Sequence, residues 1–235
     1  MGVAPFQASL LDALPLDLPL DVLPEGRVEA RVGPLGVGLR RRELAGGAWV
    51  DVRRGWVARA DTLFERLRAE VPWRAEQRPM YDRTVAVPRL LSFYAEGQPL
   101  PDPALVAARH ELDAHYAAEL GEAFATVGLA LYRDGRDSVA WHGDRIGRGS
   151  TQDTMVAIIV LGSPRALLLR PRAGGPAVAD RRGRGRSATI RYELGHGDLL
   201  VMGGSCQRTW EHAVPKTARP VGPRLSVQFR PRNVL

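Results

Sequence analysis

The sequence predicts an α+β domain in which two helices in the first half support a β-roll in the second half. Helical periodicity ends before residue 126, and short runs of strand-forming residues separated by Gly, Pro and Asp-Gly turns follow it. Seven such runs are typical of a β-sandwich or jelly roll, whereas a βαβ fold would alternate strands with helices. Because no repeat and no linker interrupts the chain, we expect residues 1–235 to form one domain with its β core at 126–232.

The first half begins with a Pro-, Leu- and Gly-rich segment, residues 1–45, which we expect to form an irregular arm with a short hairpin. The alternating pattern at 48–52 predicts a strand. Asp61 and Thr62 can cap a first helix, whose apolar residues recur at helical intervals until Pro72 ends it.

A second helix is predicted from Asp102, a preferred N-cap residue, and from Pro103, which suits the first helical turn. Its apolar face should continue to about Phe124 and comprises Leu105, Val106, Leu112, Tyr116 and Leu120. The seven predicted strands then lie at 127–133, 138–142, 154–161, 166–170, 188–193, 198–202 and 224–230. The Gly- and Arg-rich segment 172–186 should form a mobile hairpin tip.

The charge balance of the chain is basic, with 33 Lys and Arg against 26 Asp and Glu and a net charge of +7. Lys216 is the only lysine, so almost all of the positive charge is arginine. Arginine binds phosphates in a bidentate fork, which favours a nucleic-acid partner. The codon usage of a GC-rich genome would produce the same excess, and composition alone does not separate the two explanations.

The single cysteine, Cys206, excludes an internal disulfide framework and a Cys-rich zinc site. A reducing cytoplasm suits this cysteine usage. No apolar run approaches the roughly 20 residues that a membrane span needs, and the acidic, Pro-containing start is unlike a signal peptide. We therefore expect a cytoplasmic protein without a membrane partner, and a monomer by default.

His142 and Asp144 are the first candidates for a metal site. If His142 ends a strand, an imidazole and a carboxylate two positions apart can reach the same cation. A third ligand must come from a distant strand, and His212 suits this role better than His196, which lies between glycines in a turn. Two histidines and one carboxylate form the facial triad of non-haem Fe(II) oxygenases.

The last predicted strand has a polar face, because the period of two places Arg224, Ser226, Gln228 and Arg230 on one side. These groups would be costly to bury without an anionic partner, which a dicarboxylate co-substrate would supply. A solvent-facing strand is the alternative explanation.

In five stretches the sequence resembles the AlkB-type Fe(II)- and 2-oxoglutarate-dependent dioxygenases. They are VPRLLSFY at 87–94, LYRDGRDSVAWHGD at 131–144, LGSPRALLLR at 161–170, GHGDLLVMGGSCQRTWEHAVP at 195–215 and RLSVQFR at 224–230. The resemblance covers roughly residues 45–232. It implies a double-stranded β-helix, a jelly roll, with substrate-recognition elements near its N-terminus.

The resemblance also implies roles for individual residues. The iron ligands would be His142, Asp144 and His212, and the 2-oxoglutarate contacts would be Tyr132, Arg224, Ser226 and Arg230. Three residues are assigned to the substrate on the same basis: Trp141, Arg145 and Arg170. Arg89 falls in the part of the family that shapes the substrate lid and receives no role.

Three departures from the family pattern concern co-substrate and substrate. Ala130 and Ser226 stand where the family usually has Asn, which removes hydrogen bonds to 2-oxoglutarate but leaves the charge pairing. After the His-x-Asp motif, base-repairing members carry an acidic residue that reads the damaged base, whereas this chain has Arg145, Ile146 and Gly147.

The implied reaction is oxidative demethylation of alkylated bases in DNA, or in RNA, with Fe(II), 2-oxoglutarate and dioxygen. The base would have to be flipped or single-stranded, since its target atom is buried in a duplex. Three alternatives stay open: the same oxidation of RNA, a protein side chain or a metabolite, a non-catalytic basic domain that binds nucleic acid, and a cupin-like structural roll.

Overall fold

The computed structural model of the protein describes residues 29–80, 83–174 and 189–234. Its helices are α1 (Ala60–Glu70), α2 (Pro103–Leu120) and the single turn α3 (Cys206–Thr209). Its strands are β1 (Arg31–Val32), β2 (Leu39–Glu43), β3 (Ala48–Arg53), β4 (Val57–Ala58), β5 (Arg74–Met80), β6 (Arg83–Tyr94), β7 (Phe124–Tyr132), β8 (Val139–His142), β9 (Val156–Gly162), β10 (Arg165–Pro171), β11 (Ile190–Leu194), β12 (Asp198–Gly204), β13 (Trp210–Val214) and β14 (Arg224–Pro231). No helix within these ranges combines the length and the apolar content that crossing a bilayer requires.

Two antiparallel sheets form the body of the protein. The major sheet has eight strands in the order β2-β3-β12-β9-β14-β7-β6-β5, and the minor sheet has four in the order β11-β10-β13-β8. Apolar residues of both sheets pack together between them, as in Val156 and Val160 of β9 with Leu167 and Leu169 of β10. This arrangement confirms the predicted α+β jelly roll.

Alternation along the strands gives the major sheet two different faces. In β14, Leu225, Val227 and Phe229 contribute to the core beneath the helices, while the polar residues between them face the minor sheet. The residues of β9 divide in the same way between the two cores. One strand therefore supports the fold with one side and lines the cleft between the sheets with the other.

Helices α1 and α2 cover the outer face of the major sheet. Asp102 caps α2 as predicted, since its side chain accepts a hydrogen bond from the amide of Ala104 at 2.8 Å. The helix ends at Leu120, before the predicted Phe124, because Gly121 adopts a left-handed conformation (φ 72°). Val106 does not belong to the buried face and is 46% exposed.

The predicted cap of α1 is wrong. Asp61 and Thr62 lie inside the helix, which begins after Arg59 in a left-handed conformation (φ 54°) with no side-chain cap. The helix nevertheless buries the apolar residues that the periodicity indicated, including Leu63 and Leu67.

The strand predicted at 48–52 is confirmed as β3, but the major sheet extends further towards the N-terminus than the sequence predicted. Strand β2 lies beside β3 at one edge of this sheet, and β5 and β6 form the other edge, so that its hydrogen bonding begins well before residue 126. Residues 1–28 of the expected irregular arm lie outside the described residues, whereas its described part contains β1 and β2. Most of the expected hairpin tip, 175–186, also lies outside them.

A charged network joins this N-terminal extension to α2. Asp51, 1% exposed, accepts two hydrogen bonds from the Arg41 guanidinium and one of 2.9 Å from the Tyr116 hydroxyl. Arg41 also binds Glu119 and lies 3.7 Å from the centroid of the Trp49 ring. Burial and the neighbouring Asp51 carboxylate raise the pKa of Tyr116, so the phenol stays a donor.

We expect Asp51→Ala to lower the free energy of unfolding by about 2 kcal/mol, because it leaves a buried hydroxyl and a half-buried guanidinium without their acceptor. Urea denaturation measures the loss. Glu119→Gln removes only the more exposed partner of Arg41 and should cost less than about 1 kcal/mol. Equal losses in the two variants would contradict a structural role for Asp51.

Candidate active site

Three potential metal ligands meet at the inner face of the minor sheet. His142 is the last residue of β8, Asp144 follows two positions later, and His212 lies in β13, directly opposite His142 in the strand register. One ligand atom from each residue lies within 4.8 Å of the others, and 3.8 Å separates His142 Nε2 from Asp144 Oδ1. Within the part of the chain that the structure describes, this is the one such cluster of three or more His, Cys, Asp or Glu residues.

Hydrogen bonds orient two of the three side chains. His142 Nδ1 lies 2.8 Å from the carbonyl oxygen of Ala140, and because a carbonyl can only accept, Nδ1 carries the proton and Nε2 is free for a metal. Asp144 Oδ2 accepts a hydrogen bond of 2.8 Å from Arg230 Nε, and the Asp144 amide donates to Gln207 Oε1 at 3.0 Å.

The electrostatics of the cluster favour the protonation states that a cation needs. Burial acts to raise the pKa of Asp144, but the positive charge of Arg230 outweighs it and holds that pKa below its ordinary value. Burial, followed by the neighbouring His142, lowers the pKa of His212 to about 3. The cluster therefore offers a carboxylate and a neutral imidazole, which fit a divalent metal.

The polar face of β14 lies opposite this cluster across the cleft. Arg224 is 1% exposed, and none of its three guanidinium nitrogens has a hydrogen-bond partner among the described residues. Its nearest described aromatic neighbour is Tyr132, directly opposite in β7, whose ring centroid lies 5.1 Å from Arg224 Cζ. Burial lowers the pKa of Arg224. A buried guanidinium without a partner is costly, and a bound carboxylate would satisfy it.

Ala130 and Ser226, which stand where the family usually has Asn, are cross-strand neighbours. Ala130 of β7 lies opposite Ser226 of β14, and the Ser226 hydroxyl accepts a hydrogen bond of 2.7 Å from Gln228 Nε2. Gly128, opposite Gln228, leaves room for the side chains of Gln228 and Arg230, since a Cβ there would lie 3.2 Å from Gln228 Oε1 and 3.0 Å from Arg230 Nη1. The side-chain amide of Gln228 is thus the hydrogen-bonding partner of the Ser226 hydroxyl.

The three residues predicted to contact substrate do not line the cleft. Trp141 and Glu211 each adjoin a ligand histidine in their strand, so their side chains point to the other face of the minor sheet. There Arg170 lies over the Trp141 ring at 4.1 Å and forms an ion pair of 2.9 Å with Glu211. Arg145 is exposed just after Asp144.

His196, the alternative third ligand, and Asp198 have structural roles elsewhere. His196 accepts a hydrogen bond of 2.7 Å from the Gly162 amide and lies outside the cluster. Asp198 opens β12 and accepts from the amides of Gly55 and Gly195, as expected of a turn-forming residue.

Two residues of the site were not predicted. Arg89 of β6 lines the cleft with its neighbour Leu91, and Gln207 is 1% exposed beneath Asp144. The alternation in VPRLLSFY indicates that Arg89 and Leu91 share a face, whereas only the fold brings Gln207 to the Asp144 amide.

Gln207 should influence metal affinity through the position of Asp144. We expect Gln207→Leu to weaken Fe(II) binding roughly tenfold, as loss of an outer partner of a ligand typically does. Anaerobic titration with Fe(II) measures the effect. Arg208→Gln, on the same helical turn but paired with the exposed Asp153, should bind Fe(II) like the wild type. If both variants retain the wild-type affinity, Gln207 has no positioning role.

A jelly roll with two histidines and a carboxylate facing a buried arginine defines a 2-oxoglutarate- and iron-dependent oxygenase. In agreement, residues 56–230 match the model of the 2OG-Fe(II) oxygenase superfamily, and the chain belongs to this family. The enzyme is therefore a dioxygenase that uses Fe(II), 2-oxoglutarate and dioxygen.

The relatives of the chain within this family include AlkB homologues. The chain is 29% identical over 220 residues to alpha-ketoglutarate-dependent dioxygenase alkB homolog 3 of Bos taurus, covering 88% of this chain and 70% of the relative. It is 25% identical over 187 residues to DNA oxidative demethylase ALKBH2 of Homo sapiens, covering 74% and 69% respectively. The solved structure of OsALKBH1 has the same fold, with a TM-score of 0.52 at 12% identity over 81% of this chain and 99% of that one.

Proposed function

We propose that the protein removes alkyl groups from the bases of DNA by oxidation and so reverses alkylation damage directly. The observation that carries the proposal is the cleft itself, in which the three ligands face the partnerless, buried Arg224. The relative named DNA oxidative demethylase supports the choice of substrate. The net charge of +7, almost entirely arginine, suits a polyanionic partner.

Six residues of the cleft have defined tasks in this proposal. His142, Asp144 and His212 hold Fe(II), and Arg230 keeps Asp144 ionised and correctly turned through its 2.8 Å hydrogen bond. Arg224 pairs with the distal carboxylate of 2-oxoglutarate. Tyr132, 3% exposed beside Arg224, excludes water from that pair and positions the co-substrate.

The bound iron supplies the activation of dioxygen that drives the oxidation. In the overall reaction, 2-oxoglutarate loses carbon dioxide and takes one oxygen atom to become succinate. The other oxygen atom is added to the alkyl carbon, the bond between that carbon and the base nitrogen breaks, and the carbon of a methyl group leaves as formaldehyde. The proton of the new hydroxyl group passes to the nitrogen of a neutral base, or to solvent when the alkylated base was cationic, and the base is restored.

The buried position of the ligands restricts the form of the substrate. Asp144 and His212 are 4% and 7% exposed, so a base stacked within a duplex cannot reach them. We infer that the protein acts on single-stranded DNA or on a base that has been flipped out of the helix.

Mass spectrometry of a methylated single-stranded oligonucleotide tests the proposal after incubation with the protein, Fe(II), 2-oxoglutarate and ascorbate. We expect the mass of the methyl group to disappear with wild-type protein and to persist with the His142→Ala variant. Formation of succinate that is independent of the oligonucleotide, with no loss of methyl mass, would overturn DNA as the substrate.

A further inference from the structure

We propose that the cleft selects alkylated bases that carry no charge over bases that alkylation has made cationic. This inference rests on the proposed function and specifies its substrate class. It depends on the distribution of charge around the position that the base must occupy, and on Arg89 in particular.

The charged residues of the cleft are predominantly positive. Of the described residues that line it, three are arginines, Arg89, Arg224 and Arg230, and Asp144 is the one carboxylate. Fe(II), 2-oxoglutarate and Asp144 together carry a single net negative charge, which Arg224 offsets. Arg230 and Arg89 then leave the loaded cleft positive.

Arg89 lies where the substrate can approach it. The strand register places Leu90 of β6 opposite Leu131 of β7 and Tyr132 opposite Arg224 of β14, so Arg89 follows Tyr132 in a row across the inner face of the sheet. Its Nη1 donates to the carbonyl oxygen of Ser138 at 3.2 Å, and Ser138 directly precedes the ligand-bearing strand β8. Among the described residues, Arg89 has no carboxylate partner.

The loop that follows Asp144 adds further positive charge near the cleft. Arg145 is exposed directly after Asp144, and Ile146, which follows it, is 68% exposed and carries no charge. Glu211, the carboxylate residue next to the ligand His212 in β13, lies on the other face of the minor sheet in an ion pair with Arg170. No described side chain of this loop or of the cleft lining can therefore offer a free carboxylate to a cationic base.

The energetic consequence follows from the placement of like charges. A cationic base entering a partly desolvated cleft meets the field of Arg89 and Arg145, whereas a neutral base does not. The phosphates that flank either base are attracted equally. The structure thus discriminates by base charge while retaining affinity for the DNA backbone.

Two N3-methylated pyrimidines provide a matched test, since 3-methylthymine is neutral and 3-methylcytosine is cationic at neutral pH, with the methyl group on the same ring atom. We expect kcat/KM on single-stranded oligonucleotides to be roughly tenfold higher for 3-methylthymine. Fluorescence anisotropy with the metal-free protein should show tighter binding of the 3-methylthymine oligonucleotide than of the 3-methylcytosine oligonucleotide. This measurement is independent of turnover.

Variants of Arg89 assign the preference to its charge. Arg89→Gln should raise kcat/KM for 3-methylcytosine roughly tenfold and bring the two substrates close together, while Arg89→Lys should retain the preference. Arg68→Gln is the matched control, because Arg68 lies on α1 at the outer face of the major sheet; it should leave both substrates unchanged.

The outcomes separate this inference from the proposed function. Turnover of both oligonucleotides with 3-methylcytosine preferred, or a preference that Arg89→Gln does not alter, would overturn the charge selection alone. Turnover of neither oligonucleotide, with succinate still formed, would overturn both proposals.

Discussion

Alanine at His142 is expected to abolish turnover and to weaken Fe(II) binding at least a hundredfold, because loss of a direct ligand should exceed the effect of losing an outer partner. The side chain of His142 is 37% exposed, so its removal should leave the fold intact. Anaerobic Fe(II) titration and single-turnover formation of succinate measure the two effects, and circular dichroism checks the fold.

His196→Ala is the control for this variant. His196 is also partly exposed and bound to the backbone, but it lies outside the ligand cluster. It should retain wild-type Fe(II) affinity and turnover. An His142→Ala protein that binds Fe(II) as tightly as His196→Ala would remove His142 from the proposed ligand set.

Replacing Arg224 with methionine should act in opposite directions on stability and on co-substrate binding. The guanidinium is buried without a hydrogen-bond partner among the described residues, and replacement of such a charge by an apolar side chain is typically neutral or stabilising. We expect the metal- and co-substrate-free variant to be up to about 2 kcal/mol more stable than the wild type. Its KM for 2-oxoglutarate should rise at least a hundredfold, because the buried charge pair cannot form.

Arg165→Met is the matched comparison for stability. Arg165 is also buried, but its guanidinium donates to the carbonyl oxygens of Asp134, Asp137 and Pro215. Its loss leaves those acceptors unpaired and should cost about 2 kcal/mol or more. Urea denaturation of both variants, and the change in Tm on addition of 2-oxoglutarate, measure the contrast. Destabilisation of Arg224→Met to the same extent would show that Arg224 has a structural role instead.

The parts of the fold that sequence analysis predicted are those in which one face of an element is buried. The strand predicted at 48–52, the seven strands predicted in the second half and the two long helices have a clear period, and their positions are confirmed within a few residues. Strand β2 was missed because its Leu-Arg-Arg-Arg-Glu sequence occupies an exposed edge and buries little. Strand β6 was missed as a strand because Pro88 interrupts its pattern.

The residues of the site show the same distinction between local sequence patterns, which could be predicted, and tertiary packing, which could not. The spacing of His142 and Asp144 and the alternation in β14 are local, so the sequence could indicate them. Gln207 reaches the Asp144 amide only through the packing of α3, which no local pattern encodes. The location of Trp141 could have been foreseen, since the neighbour of an inward-facing residue in a strand faces outward.

The pairing of His142 with His212 across two adjacent strands also has a consequence for the chain as a polymer. A cation held by both residues closes a loop of about 70 residues that contains strands β9 to β12. In the unfolded chain the ends of such a loop are seldom close, and closing it removes roughly 4 kcal/mol of chain entropy. A bound metal ion is therefore a reversible cross-link of the jelly roll, and part of its binding free energy is free energy of folding.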